Sequence, residues 1–168
     1  VRQLVHIRAT LNDYSCRLIK RERIDGQLQQ YRFIDVKVRR ESVQGEVVRP
    51  FAVFIRYLGP QSVAGRSVLF VEGQNDGKLL VRQGGHLLGN INLKISPDSA
   101  AARRESLLPI TDLGFEKMAL ALLDKLAEEM ELDPSGANTS VEYIREAKID
   151  DRVCTCIRVS HAVPQPGL

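Results

Sequence analysis

Three cysteines, three histidines and a few adjacent carboxylates are the residues in this chain whose chemistry could exceed packing. Cys154 and Cys156 lie two apart in a strand-forming run, so both side chains point to one face. That spacing is not C-x-x-C, and neighbours on one face of a strand are poorly placed to bond each other. Cys16 becomes a partner for one of them only if the first and last strands meet. The other readings are small apolar filler and a zinc site, which lacks a convincing fourth ligand. His6, His86 and His161 share no ligand spacing and read as ordinary imidazoles. Gly84-Gly85 and Gly89 flank His86 between strands and open no helix, so they make no phosphate cradle. Asp150-Asp151 and Glu128-Glu129 are adjacent in sequence, and adjacent side chains diverge, which argues against a paired-carboxylate mechanism. These residues assign no catalytic group, no metal and no cofactor.

The elements that would position any site centre on Arg49 to Arg82, which reads as three strands joined by two turns. Phe51, Val53, Ile55 and Tyr57 share one parity and Ala52, Phe54 and Leu58 the other, as in a central strand covered on both faces. Leu58-Gly-Pro60 stops it, Ser67 to Glu72 is the next strand, and Gln74-Asn-Asp-Gly77 reverses the chain. Upstream, a short helix over Val1 to Leu11 leads into a strand from Tyr14. Asp25-Gly26 turns it, and a return strand runs from about Leu28 to Arg39 with a bulge near Phe33–Ile34. Downstream, Ile91, Leu93 and Ile95 alternate as a strand, and Ser96-Pro97-Asp98 starts a short helix. Thr111 caps a longer helix whose stripe is Phe115, Met118, Ala119, Leu122, Leu123, Leu126 and Met130, ended by Pro134-Ser-Gly136. Two last strands, about Val141 to Lys148 and Arg152 to Ser160, follow. The expected fold class is α+β: a curved antiparallel sheet, a half-open barrel, wrapped around one long and one or two short helices, in a single domain over 1–168.

Composition narrows the function classes. Of 168 residues, 43% are hydrophobic and 27% charged, as in ordinary globular proteins, and no apolar run approaches the roughly 18 residues of a membrane span. Residues 1–60 carry twelve Lys/Arg against six Asp/Glu, and residues 61–168 twelve against fifteen. The basic half suits an anionic membrane surface or acidic partner. Aromatics at 5%, with no Trp to interleave with the bases, exclude the usual nucleic-acid interface.

Several phrases together resemble a bacterial family of exported domains of unknown function: Asp13 to Gly26, Val36 to Arg39, Pro50 to Pro60, Gly65 to Leu80 and Pro109 to Gly114, in that order. The resemblance spans roughly Asp13 to His161. It implies a periplasmic or otherwise extracytoplasmic setting, with the targeting segment removed. It also implies a fold similar to that of periplasmic lipoprotein carriers, with an apolar inner face, and further strands and an acidic ending past Leu168. No catalytic residues are established for the family. An oxidising compartment, implied by the resemblance alone, would allow one internal disulfide at most, with Cys16 as the common partner.

The expected function is non-enzymatic: an apolar ligand (lipid, acyl chain or lipidated protein) held between the sheet and the long helix. Val53, Ile55, Tyr57, Leu69 and Val71 would line that site from the sheet, with Phe115, Met118 and Leu122 from the helix. The competing reading is a cell-envelope scaffold or interaction module whose core is packed solid. The terminal strand, Val153 to Val159, would offer an edge for a homodimer unless the N-terminal helix covers it.

Overall fold

Apolar residues at every second position make a half-buried strand, and between Arg32 and Arg82 the chain does this repeatedly. In a computed structural model, which describes residues 2–84, 91–104 and 106–162, those runs form an antiparallel sheet. The chain falls into two compact units, Val1–Ala119 and Leu120–Leu168.

The first unit opens with α1 (Arg2–Thr10) and β1 (Asp13–Lys20). A small hairpin follows, β2 (Arg23–Ile24) and β3 (Gln27–Leu28), turned by Asp25 and Gly26 at φ 48° and 76°. After β4 (Arg32–Arg39) comes an exposed hairpin that the sequence reading missed, β5 (Ser42–Gln44) and β6 (Val47–Arg49), turned at Gly45 with φ 60°. Next are β7 (Ala52–Gly59), β8 (Ser67–Val71), β9 (Leu79–Arg82) and β10 (Asn92–Ile95). The turn before β9 holds Asn75, Asp76 and Gly77 all at positive φ, the backbone that their residue types tolerate. The six-stranded sheet runs β1-β4-β7-β8-β9-β10, antiparallel at every pairing and not closed into a barrel.

Register assigns the faces. Val38 pairs with Val53 and Val53 with Phe70; Val36 pairs with Ile55, Ile55 with Val68 and Val68 with Val81. All of these are buried, Val53 completely at 0% exposure. The opposite face carries Lys37, Arg56, Arg82 and Lys94, each exposed. The expected register shift lies at Phe33/Ile34 in the β4–β7 pairing, but the extra residue is Leu58 on β7, between Tyr57 and Gly59. β4 itself alternates without interruption, which leaves Phe33 on the outer face.

The segment after β10 corrects two expected caps. Ser99, not Ser96, caps α2 (Ala100–Arg103): its hydroxyl accepts from Ala102 N at 3.3 Å and donates to Ser96 O at 2.7 Å. Ser96 instead closes a turn, because a proline and an aspartate intervene before the alanine run that can propagate a helix. Thr111 lies within a separate 3₁₀ turn, Ile110–Asp112, and α3 (Phe115–Leu132) begins after Gly114. The α3 stripe is also corrected. Phe115, Met118, Leu122, Leu123 and Met130 are exposed, while Glu129 is buried at 8% exposure. Periodicity identifies residues that share a face without showing that the face is covered.

The second unit contains the rest of α3 and a hairpin, β11 (Thr139–Ile149) with β12 (Arg152–His161), which pair only with each other. Asp150 and Asp151 turn it at φ 46° and 63°, and a register shift lies between Ile144 and Ala147. Asp133 organises the entry to β11. Its carboxylate accepts from Asn138 N, Ser135 Oγ and Ala137 N, and these bonds hold its pKa below the usual range. Gly85, His86 and Gly89 lie outside the described residues, as does the tail from residue 163.

Val53 is where removing volume should be felt most. Val53→Ala is expected to lower unfolding stability by about 2–3 kcal/mol, through lost burial and a cavity that the sheet cannot close. Urea denaturation with an unchanged slope against denaturant is the check, and a loss below about 0.5 kcal/mol would mean that the row is not the core.

Candidate functional site

The buried face of the sheet is not packed to its full width. A partly open cavity of about 620 Å³ lies within the first unit, between that face and the chain from Pro97 to Leu113. Its floor draws on all six strands of the sheet, through Leu18, Ile34, Ile55, Val68, Val81 and Ile95 among others. Its roof is Ala101 and Ala102 of α2, then Leu107, Leu108, Ile110 and Leu113, with Met118 from the first turns of α3. Local sequence explains the space. Over the sheet α2 offers only the methyl groups of Ala101 and Ala102; Ala102 packs on the core, but side chains this short leave the rest of the span unfilled.

One end of the cavity is polar. Lys20 Nζ lies 2.8 Å from Glu22 Oε2 and 2.7 Å from Ser106 Oγ, and Ser106 in turn donates to Leu108 O at 2.7 Å. Lys20 and Glu22 are mostly covered, with side chains 15% and 20% exposed. An ammonium and carboxylate joined this closely are mutually satisfied, and they give a largely aliphatic chamber a polar group at this border. Arg66, Gln83 and Arg103 also border the space. The sequence reading missed this terminus. Its one local signal was the alternation that puts Lys20 on the face of Leu18.

Of the eight residues expected to line a ligand site, Ile55, Tyr57 and Met118 border this cavity. Val53 shares their face but is sealed in the packed core. Leu69 and Val71 are corrected: Leu69 pairs with Phe54 and Val71 with Ala52, which places both on the other face. Pairing Ile55 with Val68 instead of Leu69 is a difference of one residue, and one residue of register reverses every side chain. Phe115, 46% exposed, stacks on Tyr14 with centroids 5.0 Å apart. Leu122, 53% exposed, belongs to the second unit.

The roof is anchored at one end by Tyr14. Its hydroxyl accepts from Phe115 N at 2.8 Å, filling one of the donors that the start of α3 leaves unbonded. Burial pushes the Tyr14 phenol up, and the hydrogen bond from Phe115 pulls the other way. Arg40 Nε meets Glu116 Oε2 at 2.8 Å, and Lys117 Nζ sits 3.8 Å above the Phe51 ring. Gly114 is buried against Val38, Tyr14 and Phe51.

The thiols are all free. Cys16 and Cys156 are exposed and Cys154 half-buried, so none is core filler. Partial burial raises the Cys16 pKa, which lowers its reactivity at neutral pH. Within the second unit, His161 Nε2 lies 3.6 Å from Glu129 Oε1, and its Nδ1 is 3.3 Å from Thr139 Oγ1. This cluster ties the helix to the hairpin end. Among the described residues, no group of three or more His, Cys, Asp or Glu is placed to hold a metal ion.

Residues 11–168 match the family described as Protein of unknown function (DUF1571), and the chain belongs to that family. No curated protein and no solved structure matches it.

Tyr14→Phe removes the acceptor for Phe115 N and keeps the ring stack. A loss of about 1 kcal/mol is expected, with faster amide exchange at Phe115. Unchanged exchange there would show that α3 is capped by something else.

Proposed function

We propose that this DUF1571 protein is a non-enzymatic binding module that holds one apolar chain, of a lipid, a fatty acid or a lipidated protein, in the cavity of its first unit. The observation that carries this reading is the cavity itself, about 620 Å³ with an apolar floor drawn from six strands. Its size falls within the roughly 300–1,000 Å³ typical of small-molecule sites.

Energetics favour an occupant. The cavity is partly open, so water can meet its aliphatic walls. An acyl chain replaces that water with dispersion contacts. In this reading the chain lies along Ile34, Ile55 and Val68, and its polar head meets Lys20, Glu22 and Ser106. The same volume supports this reading over a scaffold with a solid core. An extracytoplasmic setting, and a sheet curving around its helices as in periplasmic lipoprotein carriers, belong to the proposal on the strength of the sequence resemblance.

Native mass spectrometry of protein purified without detergent should show a co-purifying lipid. After delipidation, a fluorescent long-chain fatty acid should bind saturably at one site. Ala102→Phe, which places a ring into the cavity from the roof, is expected to weaken that binding at least about tenfold while thermal stability holds or rises. Absence of saturable binding in the parent protein, or a folded Ala102→Phe variant that binds equally well, would contradict the reading.

A further inference from the structure

The other face of the sheet bears a different chemistry. By register, its charged side chains are Arg17, Lys37, Arg39, Arg56, Arg82 and Lys94 against Asp13 and Asp35: six bases, two acids, a formal +4. Asp35 is already engaged by Arg17 at 3.0 Å. Lys37, Arg56, Arg82 and Lys94 are exposed, so the face presents its charge to solvent.

Two features give that charge a direction. A recess of about 390 Å³ opens between β7, β8 and β9, lined by Phe54, Arg56, Ser67 and Arg82 over Gly65 and Gly84. Its floor is tight: a Cβ on Gly84 would collide with Ala64 O and Arg66 N. At one end of the face, Ile19 pairs with Phe33 and Phe33 with Gly59, and Ile19, Phe33 and the bulge residue Leu58 are 57%, 42% and 40% exposed. Bases flanking exposed aliphatic and aromatic side chains match the boundary between headgroups and acyl chains. A nucleic-acid groove would interleave its bases with stacking rings, and this face offers Phe54 and Phe33 alone.

We propose that this face docks on an anionic phospholipid bilayer, with the bases against the headgroups and Ile19, Phe33 and Leu58 at the acyl boundary. The proposal uses the face opposite the cavity and stands whether or not the cavity holds a ligand.

Vesicle sedimentation of the full chain tests it, comparing phosphatidylcholine alone with phosphatidylcholine containing phosphatidylglycerol. Binding is expected only to the anionic vesicles, and high salt should reverse it. Lys37→Gln combined with Arg56→Gln should weaken partitioning about 30-fold, from two lost charges near the surface. Phe33→Ser should weaken it further. Lys37→Arg with Arg56→Lys keeps the charge and should bind like the parent, which separates electrostatics from misfolding. Ala102→Phe should leave vesicle binding intact, so failure of the cavity reading would be visible separately. Equal binding to zwitterionic vesicles, a double glutamine variant that binds unchanged, or a preference for a single-stranded oligonucleotide over the vesicles would overturn the proposal.

Discussion

A sheet that buries one broad apolar face, with little side-chain volume to lay over it, governs the first unit. The central rows are paired strand to strand: Val38–Val53–Phe70 is packed solid, while Val36–Ile55–Val68–Val81 is buried but borders the cavity through its last three members. The cover must come from residues 96–118, between β10 and the start of α3. That stretch contributes a four-residue helix made chiefly of alanine, a 3₁₀ turn and a few leucines and isoleucines. Ala102, Ile110 and Leu113 reach the core. The remainder of the span is the cavity.

The same constraint explains the investment at the ends of the roof. A loosely filled cover is held in place by specific bonds more than by packing. Ser99 caps α2 at one end, and Tyr14, Arg40 and Lys117 fasten the start of α3 at the other. Lys20 and Ser106 tie the middle of the roof to an edge strand. These bonds lie within the first unit, above a floor that is chiefly aliphatic with Lys20, Arg66 and Gln83 at its borders. The outer face carries a net excess of bases, with Phe54, Leu69 and Leu80 half-buried among them and Val71 buried.

Much of the sheet was legible in the sequence because strand alternation and turn chemistry are local. Asp25-Gly26 and Asn75-Asp-Gly77 sit where their tolerance of positive φ predicts, and the three strands of Arg49 to Arg82 form as read. What was not legible depended on register. Leu69 and Val71 look equivalent to Val68 and Phe70 until the pairing with Ile55 and Val53 is known. The buried stripe expected on α3 failed for a related reason, since amphipathicity names a face and not its partner. The cavity itself was hidden. It arises from side-chain volume that Ala101 and Ala102 lack, set against a floor assembled from six separated strands.

The most direct measurement is methyl NMR of the delipidated protein during titration with an unlabelled long-chain fatty acid. Methyl signals of Ile55, Val68, Val81 and Met118 should shift, because they border the cavity, while those of Leu69 and Leu80 on the opposite face should move little. No shift at the cavity methyls, or shifts confined to Leu69 and Leu80, would contradict the account.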